Sequence, residues 1–198
     1  MATNCDDCSH PKANHLKGGG CVDCACMVGA NALDVSFFVA LLPHAQQRPR
    51  AMVIPGKEGE KPRADVYKAR EDREHEASFA ALAEPARPRS DDGKPAVIVV
   101  PVVLDVLIVQ PRPASLSQLS KRSGHPLKPP GRRWSASRPD LDNLLKTALD
   151  SMKGWWADDA QVVGARAFKV VARLGESPGY HIRVRHASAW SHLVKTED

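Results

Sequence analysis

The sequence predicts a small α/β (α+β) domain, a mixed β-sheet of about four strands packed with about two helices. A nearly continuous apolar, β-branched run at residues 95–110 is typical of a strand buried on both faces. A helical pattern follows at residues 141–152, and segments 160–172 and 182–186 then alternate as strands do. The chain of 198 residues is long enough for one such domain and a small appendage.

The helix is predicted from the spacing of its apolar residues, which recur at i, i+3, i+4, i+7, i+8 and i+11: Leu141, Leu144, Leu145, Ala148, Leu149 and Met152. Gly154 is a natural stop. Pro139 suits the first turn, and Ser137 with Asp140 forms a candidate capping box. On the opposite face Asp142 and Lys146 are four residues apart, so they lie one turn apart on the helix surface.

Acidic residues surround this helix, with Asp140 and Asp142 at its start and Asp158 and Asp159 in the loop after it. A strand packed on the helix would bring Asp159 back beside the first two. Converging carboxylates repel one another unless a cation neutralises them, and hard oxygen ligands suit Mg²⁺ or Mn²⁺. Lys146 beside them would stabilise an anionic transition state or help to activate water. The combination indicates metal-dependent phosphodiester hydrolysis, although each residue alone is also typical of a cap or a solvated surface pair.

A longer motif runs through the same segment: Arg138-Pro-Asp-Leu-Asp-Asn-Leu-Leu-Lys146, Leu149-Asp150, Trp156-Ala-Asp-Asp-Ala-Gln-Val-Val163 and Lys169. It closely resembles the signature of the RusA family of Holliday junction resolvases. The resemblance implies a RusA-like endonuclease domain over residues 32–187. It also implies that Asp140, Asp142 and Asp159 are the metal-binding catalytic acids and that Lys146 is the essential lysine. By the same resemblance, Asp158 is a weaker acidic candidate, and Lys169 supports the site or contacts DNA.

The resemblance further implies what the protein does. It would be a Mg²⁺-dependent (or Mn²⁺-dependent) endodeoxyribonuclease that resolves four-way DNA junctions by paired nicking, as a homodimer, in DNA recombination or repair. Two alternatives stay open: a zinc-containing DNA-binding or regulatory protein without catalysis, and a nuclease that acts on other branched or single-stranded DNA. The intact acids and Lys146 favour an enzyme. The use of one metal ion or two, the cleavage preference and a phage or chromosomal setting stay open.

All five cysteines lie in the first 26 residues. Cys5-x-x-Cys8 and Cys21-x-x-Cys24 have the paired spacing of a tetrahedral Zn²⁺ site, so residues 1–28 are predicted to form a small zinc-binding module. Cys26, His10 and His15 are spare ligands, which leaves the ligand set open. The alternative is a disordered tail with reactive thiols. Nothing in the RusA resemblance explains this segment.

Positive charge favours a nucleic-acid partner, since the net charge is +5 and the pI about 9.0. Arg48 and Arg50 follow the first predicted strand (32–42) and would contact phosphate or form a solvated turn. Segment 110–138 contains many cations and no acid. It is predicted to contact DNA, with Lys128, Arg132, Arg133 and Arg138 as candidates. Trp134 within it would stack on an exposed base or anchor the loop.

The remaining segments are assigned more briefly. Residues 51–64 are predicted to form a mobile loop, residues 65–82 a helix and residues 188–198 a flexible tail. Trp155 and Trp156 are expected to be core anchors, and Asp105 to be partly exposed. No apolar run of membrane-spanning length and no secretory pattern is seen, so a cytoplasmic protein of a bacterium or a phage-infected host, with no membrane partner, is expected.

Overall fold

The structure, a computed structural model, describes residues 33–46, 50–54, 61, 63–90 and 93–193. Strands β1 (Asp34–Val39), β2 (Arg50–Ile54) and β3 (Arg63–Tyr67) precede helix α1 (Arg70–Ala83). Strands β4 (Val102–Gln110) and β5 (Arg133–Trp134) then lead to helix α2 (Leu141–Ser151), followed by β6 (Val162–Val171) and β7 (Gly179–His186). The predicted zinc ligands Cys5, Cys8, Cys21 and Cys24 and the predicted DNA contact Arg48 lie outside the described residues.

The main sheet has five strands in the order β1-β7-β4-β6-β5. The central strand β4 runs parallel to β6 and antiparallel to β7, and β1 and β5 form the edges. The mixed sheet with two helices is therefore confirmed, with one strand more than expected because β5 is only two residues long. Strands β2 and β3 pair separately as an antiparallel ribbon.

The two faces of the main sheet differ. Helices α1 and α2 pack together over one face, where Leu104, Ile108, Leu144, Met152 and Tyr180 are buried. Trp155 and Trp156 are 2% and 3% exposed, which confirms them as core anchors. The opposite face, called here the open face, carries alternate residues of the same strands: Asp34, Ser36 and Phe38 of β1, Asp105 and Leu107 of β4, Trp134 of β5, Arg166 and Phe168 of β6, and His181, Arg183 and Arg185 of β7.

Several local predictions need correction. Residues 50–54 and 63–67 pair as strands, where a loop over residues 51–64 and a helix from Asp65 were expected. Met52-Val-Ile54 and Val66-Tyr67 are β-formers, but these runs are too short to stand out among polar neighbours. Helix α1 begins at Arg70 rather than Asp65. Residues 187–193 form short 3₁₀ turns interrupted at Trp190, where the start of a flexible tail over 188–198 was expected. Strand β4 begins only after Pro101, which cannot donate to a ladder.

No helix among the described residues is long and apolar enough to cross a bilayer.

Candidate active site and nucleic-acid interface

The segment from β5 to α2 is held in place by buried and half-buried polar side chains. Ser135 donates its backbone N–H to the Lys169 carbonyl at 3.1 Å and its hydroxyl to Gln110 Oε1 at 2.5 Å. Lys169 Nζ donates to the carbonyl oxygens of Ser137 and Pro139, each at 2.6 Å. Gln110 is only 7% exposed, so its amide is a fixed acceptor. These bonds fix the backbone that presents Asp140 at the start of α2.

At this end of α2 the acidic and basic side chains face solvent. Asp140 is the N-cap residue, but its carboxylate makes no cap hydrogen bond, so the expected Ser137–Asp140 capping box does not form. Asp142 and Lys146 follow on the exposed helix surface. Within the described ranges these three side chains make no hydrogen bond or ion pair. Their polar atoms are therefore available to ligands.

Asp159 lies after the C-terminal end of α2, just before the start of β6. Its Oδ1 accepts the indole N–H of the buried Trp156 at 3.0 Å. Asp158 instead caps a short 3₁₀ helix, accepting the Ala160 N–H at 2.7 Å and forming a capping box with Gln161. The Asp158 carboxylate thus has a structural partner.

One chain does not bring the three predicted metal-binding acids together. Asp140 lies near Lys169, whose ammonium holds the Pro139 carbonyl, whereas Asp159 lies just before Val162 at the start of β6. Val162 and Lys169 are seven positions apart along β6, a rise of about 23 Å. Accordingly, no group of three His, Cys, Asp or Glu residues suited to a metal ion occurs in the part of the chain that the structure describes. The expectation that β6 returns Asp159 to the helix start is wrong for a single chain, because β6 begins at the far end of α2.

The donor chemistry nevertheless fits a hard divalent cation. Asp140 and Asp142, two residues apart at the start of α2, offer exposed carboxylate oxygens with no cationic partner among the described side chains. Oxygen-only donor sets suit Mg²⁺ or Mn²⁺ and not the softer transition metals. These residues are two of the three predicted metal-binding acids, and the third, Asp159, does not join them within the described chain.

The predicted DNA-contacting cations fall into three groups. Lys128, Arg133 and Arg138 are exposed and make no side-chain hydrogen bond or ion pair with any described residue. Arg132 instead forms a two-pronged ion pair with Glu176, which lowers the pKa of that carboxyl to about 2. Arg50 begins β2, and its side chain lies outside the description.

Arg112 was not singled out by sequence, and it organises the basic segment. Its guanidinium donates to the carbonyl oxygens of Leu116, Pro129, Gly131 and Ala172 at 2.7–3.3 Å. The segment that carries Lys128, Arg132 and Arg133 is thereby tied to the end of β6. A lone arginine in a basic run gives no sequence signal of this role.

Other charged residues are structural. Asp105 is partly exposed, as expected, and pairs with Arg166 and Arg185. Burial works against its ionisation, but the two guanidinium groups outweigh burial and lower the pKa of Asp105. Gln46, Lys68 and Asp150 form a second cluster that joins the loop after β1, the segment just before α1, and α2.

Comparison with known proteins decides the family. Residues 41–185 match the model of the endodeoxyribonuclease RusA family. The chain belongs to the RusA family. It is also 29% identical over 156 residues to the uncharacterized protein YqaN of Bacillus subtilis (strain 168), a match that covers 78% of this chain and 98% of that protein. RusA membership confirms the resemblance drawn from residues 138–169 and indicates an endodeoxyribonuclease that acts on branched DNA junctions.

Proposed function

We propose that this protein is a Mg²⁺-dependent Holliday junction resolvase that nicks opposing strands of a four-way junction. Family membership supports the endonuclease activity. The observation that carries the site assignment is the state of Asp140, Asp142 and Lys146, whose charges have no partner among the described residues. Exposed carboxylates and an ammonium without protein partners leave their charges free to bind a divalent cation and a phosphate.

In this proposal each side chain has a distinct task. Asp140 and Asp142 would hold the divalent cation, which when bound would supply Lewis-acid chemistry to the scissile phosphate and to an attacking water. Lys146 stabilises the charge that develops on the phosphate oxygens. Lys169 fixes the backbone before Asp140 through the Ser137 and Pro139 carbonyls. Lys128, Arg133 and Arg138 hold flanking phosphates that the acids alone would repel.

We further propose that the active form is a homodimer in which Asp159 of one copy completes the site formed by Asp140 and Asp142 of the other. The separation of these residues along β6 supports this arrangement. A twofold dimer also presents two sites related by symmetry, as paired nicking of a twofold-symmetric junction requires. Zinc binding by Cys5, Cys8, Cys21 and Cys24 stays a separate proposal, tested by metal analysis of the purified chain.

The first test is cleavage of a synthetic four-way junction and of a matched linear duplex, with Mg²⁺ or EDTA. Symmetric nicking of the junction that needs Mg²⁺ is expected. Tight junction binding without any cut in Mg²⁺ or Mn²⁺ would instead support the non-catalytic DNA-binding alternative. Equal cutting of flaps, forks and junctions would indicate a broader branched-DNA nuclease.

A mixed dimer tests the shared site. Asp142→Asn and Asp159→Asn chains, each inactive alone, are co-expressed with different affinity tags and purified through both tags. If the sites are shared between copies, the mixed dimer has one wild-type site and nicks one strand of the junction. A mixed dimer with no nicking activity would show that each site is built within a single chain.

A further inference from the structure

Aromatic rings form a row across the open face of the sheet. Phe38 lies opposite His181, with ring centroids 4.6 Å apart, and Phe168 contacts Trp134 with centroids 6.1 Å apart. Leu107 lies between the two pairs, because it is in register with both His181 and Phe168. We call Phe38, His181, Phe168 and Trp134 the aromatic row.

Trp134 is the most exposed ring of the row. It is 77% exposed and Phe168 is 48% exposed, whereas Trp155 and Trp156 are nearly fully buried. Trp134 therefore does not anchor the basic loop in the core, which removes one of the two roles that its sequence position suggested. Its backbone is fixed because β5 pairs with β6 at Val170. A rigid, solvent-facing indole costs little conformational entropy on binding, which suits it to ligand contact.

The surroundings of Trp134 select an anionic ligand. Arg133 precedes it, and Lys121, Arg122 and Lys128 lie exposed in the same acid-free segment without side-chain partners among the described residues. A second copy of the chain placed on this edge would bring two such basic segments together, and like charges repel. DNA phosphates complement the segment, while the ring offers a surface for a base.

We propose that Trp134 and Phe168 form a stacking site for an unstacked nucleotide at the branch point of the junction. An aromatic side chain reaches the face of a base only where the base has left its stack, and stacking of this kind accepts any base. The site would distinguish branched or single-stranded DNA from intact duplex. The inference rests on the proposed function, since it takes branched DNA as the ligand.

The test is junction and duplex binding by full-length protein in Ca²⁺, with Trp134→Ala, Phe168→Ala and Trp134→Phe variants. Leu82→Ala is the matched control, because Leu82 is an exposed apolar residue of α1 that is 47% exposed. Trp134→Ala should weaken junction binding by about 5- to 100-fold, the range for loss of one base–aromatic stack. Duplex binding and the salt dependence of junction affinity should be unchanged, since no phosphate contact is lost. Trp134→Phe should keep most of the affinity, and Leu82→Ala all of it.

A 2-aminopurine placed at the branch point reports stacking directly. Wild type should quench its fluorescence, and Trp134→Ala should not. Wild-type junction affinity and quenching in Trp134→Ala would overturn the inference and leave the proposed function intact. Failure of the wild type to prefer a junction over duplex would instead count against the proposed function.

Light scattering of the same variants separates DNA binding from self-association. Conversion of a dimer to a monomer by Trp134→Ala would overturn the inference and identify the aromatic row as a contact between two copies. Unchanged assembly with weakened junction binding supports it.

Discussion

Helix α2 has Asp142 and Lys146 in its first half and Asp150 in its last turn, with Lys153 just after its end, and the two Asp–Lys pairs differ in their surroundings. Asp142 and Lys146 are exposed and unpartnered within the described chain, whereas Asp150 accepts from Lys68 and Gln46 at 3.1 Å each and lies 3.6 Å from Lys153. Burial works against ionisation of Asp150, but Lys68, Lys153 and Gln46 outweigh it and lower the pKa of this carboxyl. The comparison shows that residue type and helix position alone do not separate ligand-binding charges from structural ones, because the neighbours decide.

The largest expected effect comes from replacing the aspartate near each end of α2, Asp142 or Asp150, with asparagine. Asp142→Asn should lower junction cleavage by more than about 100-fold. Loss of a residue that only supports a metal ligand already costs up to about 100-fold, and Asp142 is a proposed ligand itself. Its melting temperature should hardly change, since no described contact is lost. Asp150→Asn should keep cleavage and lower the free energy of unfolding by about 1–3 kcal/mol, because the mostly buried negative charge that pairs with Lys68 is lost. Cleavage assays and urea unfolding of both variants measure this contrast, and the reverse result would contradict the assignment of the two ends.

The lysines give a second matched pair. Lys146→Met should lower the cleavage rate by about 10²–10³-fold with little change in junction affinity, as expected for a group that acts on transition-state charge. Lys153→Met removes an exposed pairing partner of Asp150 and should leave cleavage unchanged. Single-turnover rates and affinities in Ca²⁺ separate these effects. An equal loss in both variants would indicate a general contribution of positive charge.

Arg133 and Arg132 of the basic segment give a third comparison between an unpaired and a paired residue, with a smaller expected effect. Arg133→Ala should weaken binding to junction and duplex alike and reduce the salt slope of log affinity by about one, because one phosphate contact is lost. Arg132→Ala should change DNA affinity less, since Arg132 is already paired with Glu176. Salt titrations of binding by the two variants give the comparison, and a larger salt-slope change in Arg132→Ala would contradict it.

The Arg132–Glu176 pair also predicts a pH dependence. The folded-state pKa of Glu176 is about 2, below the ordinary value of 4.5. The pair therefore stabilises the fold fully above about pH 5, and this contribution is lost as the pH falls toward 2. Wild type should be more stable than Glu176→Gln at neutral pH, and the difference should shrink through this acid window. Urea unfolding of both proteins between pH 7 and pH 3 tests this, and a difference that does not change with pH would exclude the pair as its cause.

Local patterns predicted much of the fold. The period of the apolar residues located α2, the β-branched runs located β4 and β6, and the polar identities from Arg138 to Lys169 indicated the family. These features depend on residues that are close together in the sequence, so they can be recognised from a single sequence. The short strands β2 and β3 were missed because their few β-forming residues acquire meaning only when they pair with each other.

The identities of the site residues stay a prediction, and their arrangement was predicted only in part. Sequence selected Asp140, Asp142 and Lys146, which one helix holds together. It placed Asp159 wrongly beside them, because the direction in which a chain returns to a sheet is a tertiary property. The partnering of Arg132 could not be predicted either, since Glu176 is 44 residues away and only the fold makes them neighbours.

If the basic segment 110–138 contacts DNA as proposed, the hydrogen bonds of Arg112 have a consequence for the rate and affinity of DNA binding. A basic segment of this length with little regular structure would normally lose much conformational entropy when it binds DNA. Four carbonyl groups held by one guanidinium restrict that freedom before any DNA arrives. A larger share of the electrostatic attraction then remains as net affinity, and fewer encounters fail while the segment searches for its bound shape.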